Sequence, residues 1–244
     1  MRYHRLDHLR GVNVISMVAY HVTWDLVYLF GMDWKWYQSA GAYVWQQCIC
    51  WTFILLSGFC YSLGKRHLRR GLEVFGAGVL VSLVTLVAMP EDRVLFGILT
   101  LLGSSMLLLW GMEPLLKKIS AKGGLVGSAF LFFVFRNVNE GYLGFEGLRL
   151  VKLPSALYRN PLTTYLGFPH SGFYSTDYFS LVPWFFLFLC GYFLYRSGEN
   201  RKLWNCLQGR PLPKLDWIGR NALLIYLLHQ PLSYGILSVW FGVF

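Results

Sequence analysis

The sequence predicts an all-α integral membrane protein, a polytopic bundle of about seven transmembrane helices with its N-terminus in the cytoplasm. Composition is the first reason for this prediction. Hydrophobic residues make up 55% of the 244 residues and charged residues only 14%, against roughly 25% charged in soluble domains. So few charges could not cover the surface of a soluble domain of this size. An ordinary cytosolic enzyme and a disordered chain are therefore both disfavoured.

Long apolar segments are the second reason. A spanning helix needs about 20 mostly apolar residues. The segments that meet or approach this length are 8–30, 39–63, 72–89, 94–113, 123–138, 178–196 and 219–243. They leave little chain for anything else, so residues 1–244 are predicted to form a single integral-membrane domain with one long outer loop at about 137–177. The first segment has no convincing cleavage site and is predicted to be a retained helix.

Loop charges are the third reason, and they predict the orientation. With a cytoplasmic N-terminus, 16 of the 22 Lys and Arg residues lie on the inner side and 6 on the outer side. Four of those six lie at or in the long outer loop, where the positive-inside rule has little force. The net charge of +10 is therefore attributed to membrane orientation. The chain is predicted to be a multi-pass protein of the cell membrane, in contact with lipid and not with nucleic acid.

The first apolar segment carries the strongest functional signal. At about 100° per residue, Asp7, Arg10, His21 and Asp25 fall on one face of an otherwise apolar helix. His21 lies about 16 Å along the axis from Arg10, near the middle of the membrane or somewhat toward its outer side. An ionisable group at that depth costs roughly 2.5–3.5 kcal/mol and is functional by default.

Two interpretations of this row of residues remain open. In one, His21 is a general base or an acyl-carrying nucleophile that Asp25 orients through an i,i+4 contact. In the other, His21 is a buried histidine that hydrogen-bonds a neighbouring helix. Asp7 and Arg10 lie where the helix enters the membrane, and an i,i+3 ion pair there would need no further role.

The last apolar segment holds a second group of candidates, His229 and Gln230, beside Pro231. Broken helices in membranes usually line cavities, so these two side chains are candidates for substrate binding. An ordinary interhelical hydrogen bond would explain His229 equally well. Ser57 in the second segment is another candidate, although small residues there also serve close helix packing.

The outer loop predicts an acceptor-binding region. It is about 40 residues long and rich in aromatic residues, and long loops without secondary structure tend to be functional. Such a loop suits a sugar or another amphipathic acceptor, and it equally suits a re-entrant plug. Asp177 is a natural N-cap for the helix that follows. Tyr178 and Trp184 are candidates for acceptor binding or for an interfacial aromatic belt.

The inner side carries a basic cluster that consists of Lys65, Arg66, Arg69 and Arg70. Guanidinium and ammonium groups bind phosphates, so the cluster could bind an anionic donor from the cytosol. Positive-inside charge explains it without a ligand. The five cysteines are an odd number, and four lie in apolar runs. This argues against a disulfide framework or a cysteine zinc site, and no metal is predicted.

Arg10 and His21, with ten residues between them, resemble the signature of acyltransferase-3 membrane acyltransferases. The wider context resembles the catalytic domain of the heparan-α-glucosaminide N-acetyltransferase family, whose bacterial members were long a domain of unknown function. The blocks that carry this resemblance are RLDHLRGVNVISMVAYHVTWDL (5–26), FILLSGFCYSLGKRHLRRG (53–71), LFGILTLLG (95–103), TDYFSLVPWFFLFLCG (176–191) and IGRNALLIYLLHQP (218–231). They lie in order along nearly the whole chain.

The resemblance implies a membrane acyltransferase that depends on acyl-CoA. Such an enzyme passes an acyl group, usually acetyl, from cytosolic acyl-CoA to a hydroxyl or amine on the extracytoplasmic side. A glycan is the acceptor that we predict. It implies that His21 is catalytic, with Arg10 and Asp7 in the same site. The residues it associates with the site less directly are Asp25, Asp177 and His229. A homodimer is compatible with the sequence.

The chain departs from the family pattern at one informative place. In the lysosomal member of this family, the proposed catalytic histidine lies about one loop after the position that matches His21. In this chain that loop reads Phe30-Gly31-Met32-Asp33 and contains no histidine. Direct transfer with His21 as the base is therefore predicted in preference to an acyl-histidine. Two other hypotheses are a proton-coupled transporter that uses His21, Asp25 and His229 as a relay, and a non-catalytic or lipid-binding subunit. The absence of an inverted repeat disfavours the transporter.

Overall fold

A computed structural model describes residues 3–198 and 207–242. It is mostly helical, and a helix coincides with each of the seven apolar segments predicted from the sequence. The helices are α1 (His4–Trp24), α2 (Ala40–Tyr61), α3 (His67–Ala88), α4 (Ile98–Leu116), α5 (Ala121–Phe135), α6 (Pro161–Leu166), α7 (Leu181–Ser197), α8 (Pro213–Arg220) and α9 (Ala222–Phe241). The last predicted segment is divided at Asn221 into α8 and α9.

Five helical segments in the described part of the chain are long and apolar enough to cross a membrane. They are His4–Leu29, Ala40–Tyr61, His67–Ala88, Ile98–Leu116 and Ala222–Phe241. The other two predicted spans, α5 and α7, have only 15 and 17 residues, which is shorter than the roughly 20 that a spanning helix needs. The protein is thus a helical protein with several membrane-compatible helices.

The first helix ends in an irregular turn. Residues Asp25–Leu29 continue α1 as a short π-helix, and the backbone then turns at Gly31 with a φ of +70°, which glycine adopts without steric cost. The π-helical hydrogen bond runs from the Phe30 N–H to the Asp25 carbonyl oxygen, so the side chains that follow Asp25 are rotated from the positions that an unbroken α-helix would give them. Such π-segments are frequent at functional sites.

The chain forms two compact units, one of residues 1–53 and 198–244 and one of residues 54–197. In the first unit, α1 packs against α8 and α9. A Cβ at Gly11 would collide with Leu215, and a Cβ at Gly219 would collide with the backbone of Asp7. Glycines at both positions therefore let α1 and α8 approach closely, as small residues do between membrane helices.

The second unit is built on two helix pairs, α3 with α4 and α5 with α7. Its core contains Tyr192, Phe132 and Phe188, which are almost completely buried. Glycine again permits close contact, since a Cβ at Gly58 of α2 would collide with the backbone of Phe188. These contacts form the packed helical framework of the second unit.

The predicted outer loop, at about 137–177, is folded. We call this loop, together with the adjoining residues up to Trp184, the outer segment. It contains an antiparallel hairpin of β1 (Tyr142–Phe145) and β2 (Leu148–Lys152), with an irregular register between Leu143 and Gly144. The six-residue helix α6 and three-residue to four-residue 3-10 turns make up much of the rest. The all-α prediction is therefore incomplete, because this hairpin had no clear alternating pattern in the sequence.

Candidate functional site

Two histidines meet in the first unit, one from α1 and one from α9. The ring centroids of His21 and His229 are 4.9 Å apart and the ring planes are inclined by 70°. His229 is buried, whereas His21 is half-buried. The spacing of polar residues along α1 predicted that His21 faces protein, and the structure places its ring against α9.

Asp25 is completely buried, with 0% of its surface exposed, and it bonds to α9 rather than to His21. Gln230 Nε2 donates to one carboxylate oxygen at 2.5 Å, and Ser233 Oγ donates to the other at 2.8 Å. The i,i+4 contact with His21 that the sequence suggested is not among the hydrogen bonds of Asp25 in the described chain. The α-helical spacing still holds for Asp25, since its backbone N–H donates to the carbonyl oxygen of His21, but its carboxylate is bonded to α9. The carboxylate therefore joins α1 to α9.

The hydrogen bonds of His229 define its tautomer. Nδ1 lies 2.6 Å from the carbonyl oxygen of Tyr226, and a carbonyl oxygen only accepts hydrogen bonds, so Nδ1 carries the proton. In a neutral imidazole the other nitrogen, Nε2, is then an acceptor with a lone pair. This fixes which nitrogen of His229 can receive a proton.

Two buried acceptors in this cluster make no hydrogen bond within the described residues. They are His229 Nε2 and Gln230 Oε1. Buried polar atoms are nearly always hydrogen-bonded, and an exception calls for an explanation such as water or a ligand. We call the group formed by His21, Asp25, His229, Gln230 and Ser233 the histidine cluster. Its unused hydrogen-bonding capacity makes it a candidate binding site.

Asp7 and Arg10 form the i,i+3 ion pair that the sequence suggested for the beginning of α1. Arg10 Nη1 lies 3.3 Å from Asp7 Oδ1 and 3.4 Å from the carbonyl oxygen of Gly219 in α8. All four members of the predicted polar row therefore contact the C-terminal segment, Asp7 and Arg10 near α8 and His21 and Asp25 at α9. Arg10 and Asp7 are held by each other and by the protein at this position.

The three acceptor-side candidates near the predicted outer loop, Asp177, Tyr178 and Trp184, lie in the second unit, and each contacts other residues there. Asp177 Oδ2 accepts a hydrogen bond from the backbone N–H of Ile98 at 3.3 Å. It thus contributes to the N-terminus of α4, whereas the sequence predicted a cap for the helix that follows it. Tyr178 donates its hydroxyl proton to the carbonyl oxygen of Thr164 and its ring contacts Phe173. Burial raises the pKa of the Tyr178 hydroxyl above its usual value.

Trp184 is not an interfacial belt residue in this structure. Only 4% of its surface is exposed. The guanidinium of Arg136 lies over its ring, 4.9 Å from the centroid, and Phe132 and Phe179 pack beside it. Arg136 also pairs with Glu146 of the hairpin at 3.1 Å. Trp184 therefore joins α7 to the folded outer segment.

The basic cluster lies at the start of α3. Lys65, Arg66, Arg69 and Arg70 are all exposed, and Arg69 Nε lies 2.7 Å from the carboxylate of Glu73 one turn later. Exposed side chains at a helix start can reach an anionic ligand from solution. Ser57 in α2 is half-buried.

Two residues that contribute hydrogen bonds to the histidine cluster were not predicted from the sequence. Ser233 supplies one of the two hydrogen bonds to Asp25, and the carbonyl oxygen of Tyr226 sets the tautomer of His229. Both could have been found from spacing, because residues three or four apart share a helix face. Ser233 follows His229 by four residues, and Tyr226 precedes it by three.

The sequence matches the model of a known protein family over most of its length. A family model described as "Heparan-alpha-glucosaminide N-acetyltransferase, catalytic" matches residues 2–231, which confirms the resemblance found in the sequence. Searches of curated proteins and of solved structures gave no match. Because the family model covers nearly the whole chain, this protein belongs to the heparan-α-glucosaminide N-acetyltransferase catalytic-domain family, a family of membrane acetyltransferase type.

Proposed function

We propose that this protein is an acyltransferase of the cell membrane that moves an acetyl group from cytosolic acetyl-CoA, or another acyl group from its acyl-CoA, to a hydroxyl or amine on the extracytoplasmic side. A glycan is the acceptor we favour. His21 is the general base, and no metal takes part in the transfer. Membership of an acetyltransferase family supports the reaction type, and the histidine cluster supports the place where it occurs.

The proposed chemistry is direct transfer. His21 removes the proton of the acceptor O–H or N–H as the oxygen or nitrogen attacks the thioester carbonyl. The carbon–sulfur bond then breaks, and the CoA thiolate takes the proton from the His21 imidazolium. A positioned base of this kind contributes typically about 10²–10⁴-fold to the rate. No acyl-histidine is formed on this route.

The observation that carries this proposal is the pair of unused acceptors beside His21. His229 Nε2 and Gln230 Oε1 are buried acceptors without a hydrogen bond in the described chain. Acceptors of this kind are suited to bind the O–H or N–H of an acceptor molecule, which brings its nucleophilic atom next to the His21 ring. Asp25 is hydrogen-bonded to Gln230 and Ser233. These bonds hold α9 against α1, so Asp25 acts as a positioning residue.

We further propose that the donor is bound by positive charge. Its phosphates contact the basic cluster of Lys65, Arg66, Arg69 and Arg70, with Ser57 nearby in sequence on α2. Exposure of the four basic side chains supports this assignment. Arg10 stays a donor-binding candidate on the ground of the family resemblance alone. Asp177, Tyr178 and Trp184 are proposed to support the acceptor side, through the segment that they hold in place.

The proposed topology has seven membrane crossings with the N-terminus in the cytoplasm, so that α5 and α7 cross as well. At about 1.5 Å per residue they are roughly 22–26 Å long, and a bilayer adapts to short helices by local thinning. A cysteine-free protein with a single new cysteine tests the orientation. A membrane-impermeant maleimide should label Arg159→Cys but not Lys118→Cys in intact cells, and the reverse pattern would contradict the topology.

The function is tested with the purified protein and labelled acetyl-CoA. We expect wild type to release CoA in the presence of a glycan acceptor, and His21→Ala to bind acetyl-CoA but to transfer at a rate lower by about 10²–10⁴-fold. Absence of both CoA binding and CoA release by a folded wild type would contradict the proposal. Proton uptake by reconstituted vesicles without any transfer would favour the transporter that uses His21, Asp25 and His229.

A further inference from the structure

A second group of chemically active side chains lies outside the histidine cluster, where α1 begins. His4 and His8 are one helical turn apart on α1, and Asp216 reaches them from α8. His4 Nδ1 lies 2.9 Å from one oxygen of the Asp216 carboxylate, and His8 Nε2 lies 3.0 Å from the other. We call these three residues the α1–α8 cluster.

The three possible ligand atoms converge on one point. One nitrogen of each imidazole and one carboxylate oxygen all lie within 4.8 Å of one another. Two imidazoles and a carboxylate are a common zinc ligand set, with metal–ligand distances of about 2.0–2.2 Å and a water molecule in the fourth position. Ligand atoms around a tetrahedral ion are then roughly 3.3–3.5 Å apart, so the cluster needs only small shifts to hold one.

Burial separates this cluster from a surface ion pair. The side chains of His4, His8 and Asp216 are exposed by only 22%, 16% and 5%. His8 Nε2 is buried and makes no hydrogen bond within residues 3–198 and 207–242, although the carboxylate oxygen is 3.0 Å away. A nitrogen that approaches a carboxylate without a hydrogen bond is suited to share a cation with it.

We propose that His4, His8 and Asp216 bind one Zn²⁺ ion that joins the beginning of α1 to α8. The cluster lies beside the two close contacts already described, Gly11 with Leu215 and Gly219 with Asp7. A metal at this point strengthens the same helix pair, because a ligand that binds only the folded state stabilises it. Since α8 leads into α9, the ion would also support the helix that carries His229. This role is structural and is independent of the proposed transfer reaction.

Metal binding is tested on the purified full-length protein after treatment with a chelator. Zn²⁺ is titrated in competition with a chromophoric indicator, and bound metal is counted by mass spectrometry. We expect one Zn²⁺ per wild-type chain, and an affinity lower by a factor on the order of 100 in His8→Ala, which loses a ligand. The matched control is His170→Ala, which removes a histidine hydrogen-bonded to Thr164 elsewhere in the chain and should bind as wild type does.

Two further measurements keep the proposal testable if a variant folds poorly. Zn²⁺ should raise the melting temperature of wild type and of His170→Ala but not that of His8→Ala. X-ray absorption of the wild-type zinc complex should contain imidazole scattering from two histidines and no sulfur scattering. A wild type that binds no zinc, a His8→Ala variant that binds as tightly as wild type, or a sulfur-ligated zinc would each overturn the proposal.

Discussion

The histidine cluster and the outer segment were both predicted to take part in function, and they differ in how their polar groups are used. Between α1 and α9, Asp25 has both carboxylate oxygens bonded, but His229 Nε2 and Gln230 Oε1 have no hydrogen bond in the described chain. In the outer segment, Asp177 is bonded to the start of α4 and Trp184 is covered by Arg136.

This difference separates two kinds of polar residue in an apolar protein. A buried polar group whose partners are all within the protein stabilises one arrangement, whereas a buried acceptor without a partner is costly unless something binds it. The outer segment therefore resembles a folded scaffold, and the histidine cluster resembles a place where chemistry occurs. Substitutions in the two regions should affect different quantities.

The largest expected effect is on catalysis in the histidine cluster. His21→Ala should lower the rate of acetyl transfer by about 10²–10⁴-fold while the melting temperature changes little, because His21 contacts His229 through its ring alone. The control is Thr23→Val on the same helix, whose hydroxyl bonds only to the Ala19 carbonyl oxygen. Equal activity of His21→Ala and Thr23→Val would remove the catalytic role from this cluster.

A smaller effect is expected when the carboxylate between α1 and α9 is removed. Asp25→Ala leaves the Gln230 amide without this acceptor, while the Ser233 hydroxyl keeps only the Gln230 carbonyl oxygen as an acceptor. The change should lower the free energy of unfolding by about 1–3 kcal/mol. Ser233→Ala removes one of the two bonds and should cost less. Thermal unfolding of the purified variants measures both effects. If both variants melt at the wild-type temperature, the carboxylate does not join the two helices.

In the outer segment we expect stability rather than catalysis to change. Asp177→Ala removes an acceptor at the start of α4 and should cost about 0.5–2 kcal/mol, whereas Asp177→Asn keeps an acceptor there and should cost less. Comparison of the two variants distinguishes a role of Asp177 in stability from a role in acceptor binding. If Asp177→Asn is as stable as wild type but has a raised KM for the acceptor, the carboxylate takes part in substrate binding. The outer segment would then contribute to function as the histidine cluster does.

The smallest effect is expected at the basic cluster. Each of its side chains is exposed, and exposed charge pairs contribute typically about 0.2–1 kcal/mol. Arg70→Gln should therefore raise the KM for acetyl-CoA by at most about fivefold, and the effect should shrink as salt is added. Arg159→Gln, an exposed basic residue of the outer segment, is the control. Equal KM values for the two variants at low salt would contradict a phosphate-binding role.

The sequence determined most of the framework and the first half of the site. Scarce charge and long apolar runs were sufficient to locate the helices, since a membrane helix must satisfy its backbone internally and present apolar side chains to lipid. The separation of eleven positions between Arg10 and His21 was sufficient to place them on one face, because the period of an α-helix is fixed. His229 and Gln230 were found because ionisable and amide groups are rare in such runs.

Only the tertiary structure decided which of these groups act together. Asp25 bonds to Gln230 and Ser233 because α9 packs against α1 at this point, and the spacing of residues within α1 does not reveal that contact. The hairpin of the outer segment and the convergence of His4, His8 and Asp216 likewise depend on residues far apart in the chain. Local spacing determines which side chains share a helix face, but which faces meet is determined by packing between helices.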